Sequence, residues 1–344
     1  MVQAFRVFAV QATGLQRFVA TVFCVFAFSG SMIAAQSSTT KPVDEVVSKP
    51  SQPDTTQSAT GQSATGQSAT KATPDKATPD KASEGQTSEP AAVSYQLRYK
   101  FQPNQILKYE TKQTIIQTGV APFGEQVETN KVEQRRVYKI TDVAEAGTAT
   151  ASMQFEYVRM ERKAGEAEAV VFDTKMKEAE IPAFFRAAAK SLKTKAPVYE
   201  LHPQGTDVND ESLEQNPAGG QASFVVPMPE AAKAVGDSWT TFVEVKVRMA
   251  EQIFRTIKLR KTFRLKAVKD GVAEIGMATS TVGSVKDPRV KVQLLQATPS
   301  GTIWFDIDRG LVTKKEIRFN NTVLNAMGPQ TMVSAKGRTI DRLL

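Results

Sequence analysis

The chain has 344 residues, 41% of them hydrophobic, and a formal charge of +8. That is enough apolar material for one large domain or two modest ones. A single cysteine, Cys24, and a single histidine, His202, exclude an intrachain disulfide and a Cys/His zinc centre, and the sequence implies no cofactor.

The N-terminus carries Arg6 and Arg17, then an apolar run from Phe18 to Phe28 interrupted only by Thr21. Ser29, Gly30 and Ser31 break the run, and Ala34-Ala35 supplies small residues. This order has the layout of a secretory signal over residues 1–35. The run itself is too short to span about 30 Å of hydrocarbon as a helix. The expected destination is periplasmic or extracellular. The alternative is a membrane anchor left uncleaved, since Phe18 to Ala35 approaches spanning length if Ser and Gly are tolerated. Cys24 fits the apolar run as a small hydrophobe. Export removes nucleic acid from the expected partners.

Residues 36–92 are mostly Ser, Thr, Ala, Gln, Gly, Pro, Lys and Asp, with a drifting five-residue repeat (QSATG, QSATK, ATPDK). Val43, Val46 and Val47 are the only large apolar residues, and no aromatic occurs. Such a segment cannot offset about 1–2 kcal/mol of backbone entropy per residue. It is expected to be a disordered linker. It holds five lysines against seven acids, so the +8 of the chain belongs to residues 93–344.

At Val93 the texture changes to strict alternation. In VSYQLRYKF, Val93, Tyr95, Leu97, Tyr99 and Phe101 share one face. In TATASMQFEYV, Met153, Phe155 and Tyr157 do the same. In IKLRKTFRLKA, Ile257, Leu259, Phe263 and Leu265 oppose Lys258, Arg260, Arg264 and Lys266, with Lys261 the exception on the apolar side. In LVTKKEIRF, Ile317 and Phe319 oppose Glu316 and Arg318. Turns at Glu145-Ala146-Gly147, Lys269-Asp270-Gly271 and Asp308-Arg309-Gly310 separate the runs. One amphipathic helix is expected at 181–194, with Ile181, Phe184, Phe185, Ala188 and Leu192 forming its stripe. A second, short helix is expected at Met228 to Ala234. Residues 137–155 and 262–280 echo each other, which divides the region into two related lobes, 93–200 and 201–344. The expected class is mainly β, a β-rich α+β fold of curved antiparallel meander sheets.

Chemistry is scarce. His202 precedes Pro203 and a Gly turn, the setting of a loop histidine rather than a catalytic base. Asp306 and Asp308 suit a hairpin turn better than calcium, because the D-x-D-x-D-G pattern is missing. Asp207, Asn209, Asp210 and Glu211 supply oxygens without the spacing of a calcium loop. No catalytic, cofactor-binding or metal residue is assigned.

Three patterns carry a resemblance: Tyr95-x-Leu97-x-Tyr99-x-Phe101 with Leu107-Lys108-Tyr109; Val235-Gly236-Asp237-Ser238-Trp239; and Ile303-Trp304-Phe305-Asp306 followed by Asp308-Arg309-Gly310-Leu311. Together they resemble an uncharacterised group of secreted bacterial β-rich proteins known only as a domain of unknown function. The likeness spans most of 93–344. It implies an envelope location and no established activity. In architecture alone, a strand meander with one helix is similar to the half-open barrels of lipoprotein-carrier proteins.

The first functional reading is a binding or carrier module. It would hold an apolar ligand between the sheet and the helix, lined by Tyr95, Tyr99, Phe155, Tyr157, Phe184 and Phe185. The same six side chains also suit an ordinary core. The second is an interaction protein that contacts an anionic envelope surface (lipid, glycan or acidic protein) through Lys258, Arg260, Arg264 and Lys266. Cross-strand acids such as Glu244 or Glu274 would instead neutralise that stripe. A hydrolase is a distant third.

Overall fold

The computed structural model describes residues 93–193, 198–205, 224–250 and 253–344. The signal-like segment, the repeat linker and the acidic group at Asp207, Asn209, Asp210 and Glu211 lie outside the described residues.

The alternating runs form ten strands of one antiparallel sheet, with an eleventh strand at its side. The first meander holds β2 (Ile106–Ala121), β3 (Gly124–Val143), β4 (Ala149–Ala164) and β5 (Val170–Asp173). The second holds β8 (Ser238–Arg248), β9 (Phe254–Lys269), β10 (Val272–Thr281), β11 (Ser300–Asp306), β12 (Leu311–Leu324) and β13 (Met332–Leu343). The spatial order is β5-β4-β3-β2-β13-β12-β11-β10-β9-β8, and β6 (Val198–Leu201) also pairs with β4. The sheet is open: β8 is not paired back to β5. The last strand welds the two meanders. β13 runs against β2 from Tyr109↔Leu343 to Val120↔Met332, making one continuous sheet. The echoing segments become the β3–β4 and β9–β10 hairpins in the same left-to-right order, although β2 is central and β8 an edge.

One face of the sheet is covered and the other is open, as alternation requires. The largest core packs Leu107, Tyr109, Tyr138 and Ile140 with Phe263, Leu265, Ile275, Ile303 and Phe305. Its lid is made of two non-strand segments, Leu97–Phe101 and Phe224–Met228. Here the structure departs from the sequence expectation. Of VSYQLRYKF only Ser94–Tyr95 (β1) is strand, pairing with Lys233–Ala234 (β7). The burial alternation of Leu97, Tyr99 and Phe101 holds, but the segment lies against the sheet rather than in it. Its backbone bonds to loops: Tyr99 N–H donates to Pro203 and Lys100 N–H to Gly310. The Arg98 guanidinium ties it to the carbonyls of Pro229 and Glu230.

The expected helix at Met228 to Ala234 is not formed. Pro227 and Pro229 hold their neighbours extended, and Trp239 Nε1 donates to the Pro227 carbonyl at 2.9 Å. A helix appears instead at Pro288–Gln293 (α2), capped by Asp287, whose carboxylate accepts from Arg289 N–H at 2.9 Å. It packs Val290 and Leu294 on β8–β9, and Val292 and Leu295 on β12–β13. The helix expected at 181–194 is two 3-10 turns, Glu178–Glu180 and Ala183–Phe185, followed by a short α1, Arg186–Leu192. Its apolar stripe is as expected: Ile181, Phe185, Ala188 and Ala189 are buried, and Phe184 and Leu192 partly so.

Gly337 shows why the centre of the sheet tolerates no extra carbon. A Cβ there would collide with the ring of Phe319 on the neighbouring strand. Replacing Gly337 by valine forces that ring to move. The change should cost about 1–3 kcal/mol, read as a lower urea midpoint with an unchanged m value.

Candidate functional site

The six aromatics expected to line one ligand space are not brought together. Tyr99 is buried in the main core, stacked 5.4 Å from Phe101. Its hydroxyl donates to Val226 O at 3.2 Å and accepts from Val226 N–H at 2.7 Å. Tyr95 and Phe155 pack at the edge of the same core. Phe184 and Phe185 belong to a separate cluster with Phe172 and Ile181, where the Arg162 guanidinium lies 4.3 Å over the Phe184 ring. Tyr157 is a correction: it faces the opposite side of the sheet from Phe155. Opposite β4, Arg136 pairs with Phe155 and Arg135 with Tyr157, so Glu156 is an extra residue in a β-bulge. One inserted residue reverses every later side chain, and Val158 takes the buried position.

Beneath the main core lies a polar layer that alternation does not announce. Arg136 (β3), Thr111 (β2), Asp341 (β13) and Lys315 (β12) meet across four adjacent strands. Asp341 Oδ1 accepts from Thr111 Oγ1 at 2.5 Å and from Arg136 Nη2 at 3.3 Å, while Oδ2 pairs with Lys315 Nζ at 2.9 Å. Arg136 Nη1 donates to Tyr138 Oη at 3.0 Å, and Tyr109 Oη to Val312 O at 2.7 Å. Arg136, Lys315 and Asp341 are 3%, 2% and 1% exposed, so substrate has no direct approach. The cluster spans the β13–β2 seam and locks the two meanders in register. Burial lowers the Lys315 pKa from its ordinary value, and Asp341 pulls it back. Burial raises Tyr99, Tyr109 and Tyr138. The sequence sign was faint: Lys315 occupies an apolar-parity position in LVTKKEIRF.

The open face carries the expected stripe. Lys258, Arg260, Arg264 and Lys266 are all exposed on it. Lys266 Nζ pairs with Glu274 at 3.4 Å and donates to Thr302 Oγ1 at 3.3 Å. Lys258 Nζ lies 4.6 Å over the Phe242 ring, and Arg264 Nε donates to Gly236 O at 3.1 Å. Glu244 is opposite Lys258 in register. Among the described residues no carboxylate is within ion-pair distance of Lys258, Arg260 or Arg264.

Further strands extend the charge. Two cross-strand rows run Arg264–Gly276–Thr302–Glu316 and Thr262–Ala278–Ser300–Arg318–Arg338. Small side chains in the middle of each row leave a trough of about 610 Å³ along β10 and β11. Its walls are Arg264 and Lys266 of β9 on one side and Arg318 of β12 on the other, and Trp304 of β11 also lines it. Lys266 lies directly over Gly276, where a Cβ would strike its stem. Glu316 is the acid in the wall, and it is already engaged by Arg318 and by Arg338, with Lys314 at 3.8 Å. The Arg318 guanidinium holds the Glu316 carboxyl below its ordinary value. Sequence reasoning found the β9 wall from its period of two. It missed the β12–β13 wall, because which strands lie across the trough is a matter of topology.

Elsewhere, His202 is a loop residue whose Nδ1 accepts from Gln204 N–H at 3.2 Å. Asp306 Oδ1 accepts from Arg309 N–H at 2.8 Å and closes the β11–β12 turn.

No family model matches this chain, and no curated protein matches it. Among solved structures, one of lipid–protein interactions in lipovitellin is similar over 71% of this chain at 9% identity and a TM-score of 0.42. The chain spans a quarter (25%) of the length of that protein chain.

Proposed function

We propose that this protein is a non-catalytic, exported binding module whose open sheet face holds an extended anionic polymer of the cell envelope. The observation that carries this reading is the trough: small residues form its floor, cations stand on both walls, and its one wall acid is already neutralised. Its walls are three strand spacings apart, about 14 Å, which suits one linear chain laid along the strands. The excess charge of residues 93–344 acts in the same direction, raising the local concentration of anions. The apolar-carrier reading loses support because its lining is divided between two packed cores and the opposite face. The hydrolase reading loses support because the buried ionic cluster is sealed.

The test is titration with a polyanionic glycan at several salt concentrations. Replacing Arg264, Lys266 and Arg318 with glutamine should weaken binding on the order of tenfold and flatten its salt dependence. Unchanged affinity, or binding indifferent to salt, overturns the reading. Salt-sensitive binding to anionic vesicles but not to glycan would move the partner from polymer to lipid headgroups.

A further inference from the structure

A second surface, distinct from the trough, is formed where hairpin tips line up at one end of the sheet. Two-residue chemistry at Pro122-Phe123 joins β2 to β3. Residues 325–331 join β12 to β13, and the β8–β9 connection closes with Met249 N–H donating to Ile253 O. The paired registers put these tips at one level. Val120, Met332 and Leu324 form one row, and Phe123 lies three residues beyond Val120. Arg318 and Thr262 share a higher row; Leu324 lies six residues beyond the first and Phe254 eight beyond the second.

Each of these tips carries an exposed large apolar side chain at or beside it. Phe123, Leu324, Ile253 and Phe254 are between 55% and 69% exposed. The opposite end is built otherwise: its turns hold Glu145, Asp270-Gly271 and Asp308-Arg309-Gly310. That end also exposes Val93, Ile106, Val198, Val235 and Leu344; of these Val235 is in a turn, between β7 and β8, and none is aromatic. Singly exposed apolar residues need no explanation, whereas several aligned on one rim do. Cations accompany them. Exposed Arg248 and Arg255 flank Phe254, the former with its guanidinium 5.6 Å over the ring, while the exposed acids at this end are on the other meander, Glu125 beside the Phe123 tip and Glu166 and Glu168 between β4 and β5.

We infer that this end of the sheet is a membrane-contact rim, in which Phe123, Ile253, Phe254 and Leu324 enter the headgroup–acyl boundary of a bilayer containing anionic lipid. Apolar tips with adjacent basic residues are the combination that such an interface binds: burial drives insertion, and the cations meet anionic headgroups. The sheet then stands edge-on to the bilayer, and the trough stays open to its polymer.

Tryptophan reporters test this in the full chain. Phe123→Trp, Phe254→Trp and, at the opposite end, Arg309→Trp are each mixed with vesicles of zwitterionic and anionic phospholipid carrying brominated acyl chains. The signal is read above the background of Trp239 and Trp304. The two tip reporters should blue-shift and be quenched at least twofold more than Arg309→Trp, more strongly on the anionic vesicles. An attachment through the N-terminal apolar run alone would give no difference between the ends, and that overturns the inference. A blue shift that grows with protein concentration and not with lipid overturns it too, because the rim would then be a self-association surface. Neither outcome touches glycan binding by the trough, which Arg264→Gln, Lys266→Gln and Arg318→Gln address separately.

Discussion

Asp341→Ala should lower the folding free energy by about 3–5 kcal/mol, among the largest costs of any single substitution in the sheet. The carboxylate is the only anion among Arg136, Lys315 and Thr111, and all four side chains are buried. Removing it takes away the carboxylate that both buried cations share. An exposed pair gives the contrast: Glu274→Ala breaks only the Lys266 contact and should cost under about 1 kcal/mol. Lys315→Met is the sharper control. It retains the Arg136–Asp341 pair, relieves the desolvation of the lysine, and fills the space with a flexible apolar chain of similar length. Its cost should be well below that of Asp341→Ala. Urea titration of the three variants decides the matter. Equal losses for Asp341→Ala and Lys315→Met would show that packing, not charge balance, dominates the layer.

Alkaline pH should unfold the protein steeply. Burial raises the pKa of Tyr99, Tyr109 and Tyr138 above the ordinary tyrosine value of 10.0. In the unfolded chain these phenols ionise near that value, while in the folded protein they stay protonated. The folded state therefore holds up to three more protons. Their contribution is fully present below pH 10 and lost as pH rises beyond it, at a limiting slope of about 4 kcal/mol per pH unit. Lys315 acts in the opposite sense. Its folded pKa is depressed, so it favours folding as pH rises from that depressed value to the ordinary 10.5, but it is one proton against three. The urea midpoint should stay nearly level through neutral pH and fall sharply above about pH 10. Tyr99→Phe should reduce the alkaline slope by about a third, whatever it does to stability at neutral pH. A slope unchanged by that substitution would show that Tyr99 is not among the groups responsible.

The parts of the fold legible beforehand were those that depend on one strand at a time. The apolar parity of β9 is visible from Ile257 to Leu265, and the structure buries those residues and exposes Lys258, Arg260, Arg264 and Lys266. Leu97, Tyr99 and Phe101 were correctly assigned to a buried face, yet their segment is a lid and not a sheet strand. Periodicity reports which side chains avoid water; it does not report which backbone supplies the hydrogen bonds. The helix at Met228 to Ala234 fails for a local reason, the flanking prolines. α2 was legible in the Asp287-Pro288 cap but was not recognised.

The site was half legible. One cationic wall of the trough is written in a single strand. The other wall, at Arg318 with Arg338 beside it on β13, becomes its partner only because β10 and β11 intervene with Gly276, Ala278, Ser300 and Thr302. Tyr157 shows the limit in a single residue: a bulge at Glu156 reverses the face that strict alternation assigns to it.

By itself, the sequence determined a mainly β chain with a basic C-terminal region, because hydrophobic period and charge are properties of neighbours along the chain. The tertiary structure decided what pairs across it. β13 returns to β2 and fuses two meanders, and that pairing places Asp341 beside Lys315, Thr111 and Arg136, residues separated by up to 230 positions. It also aligns Phe123, Leu324 and Phe254 on one rim. The physical reason is that strand order and register are fixed by burial and backbone pairing summed over the whole sheet, and no local stretch of sequence contains that sum.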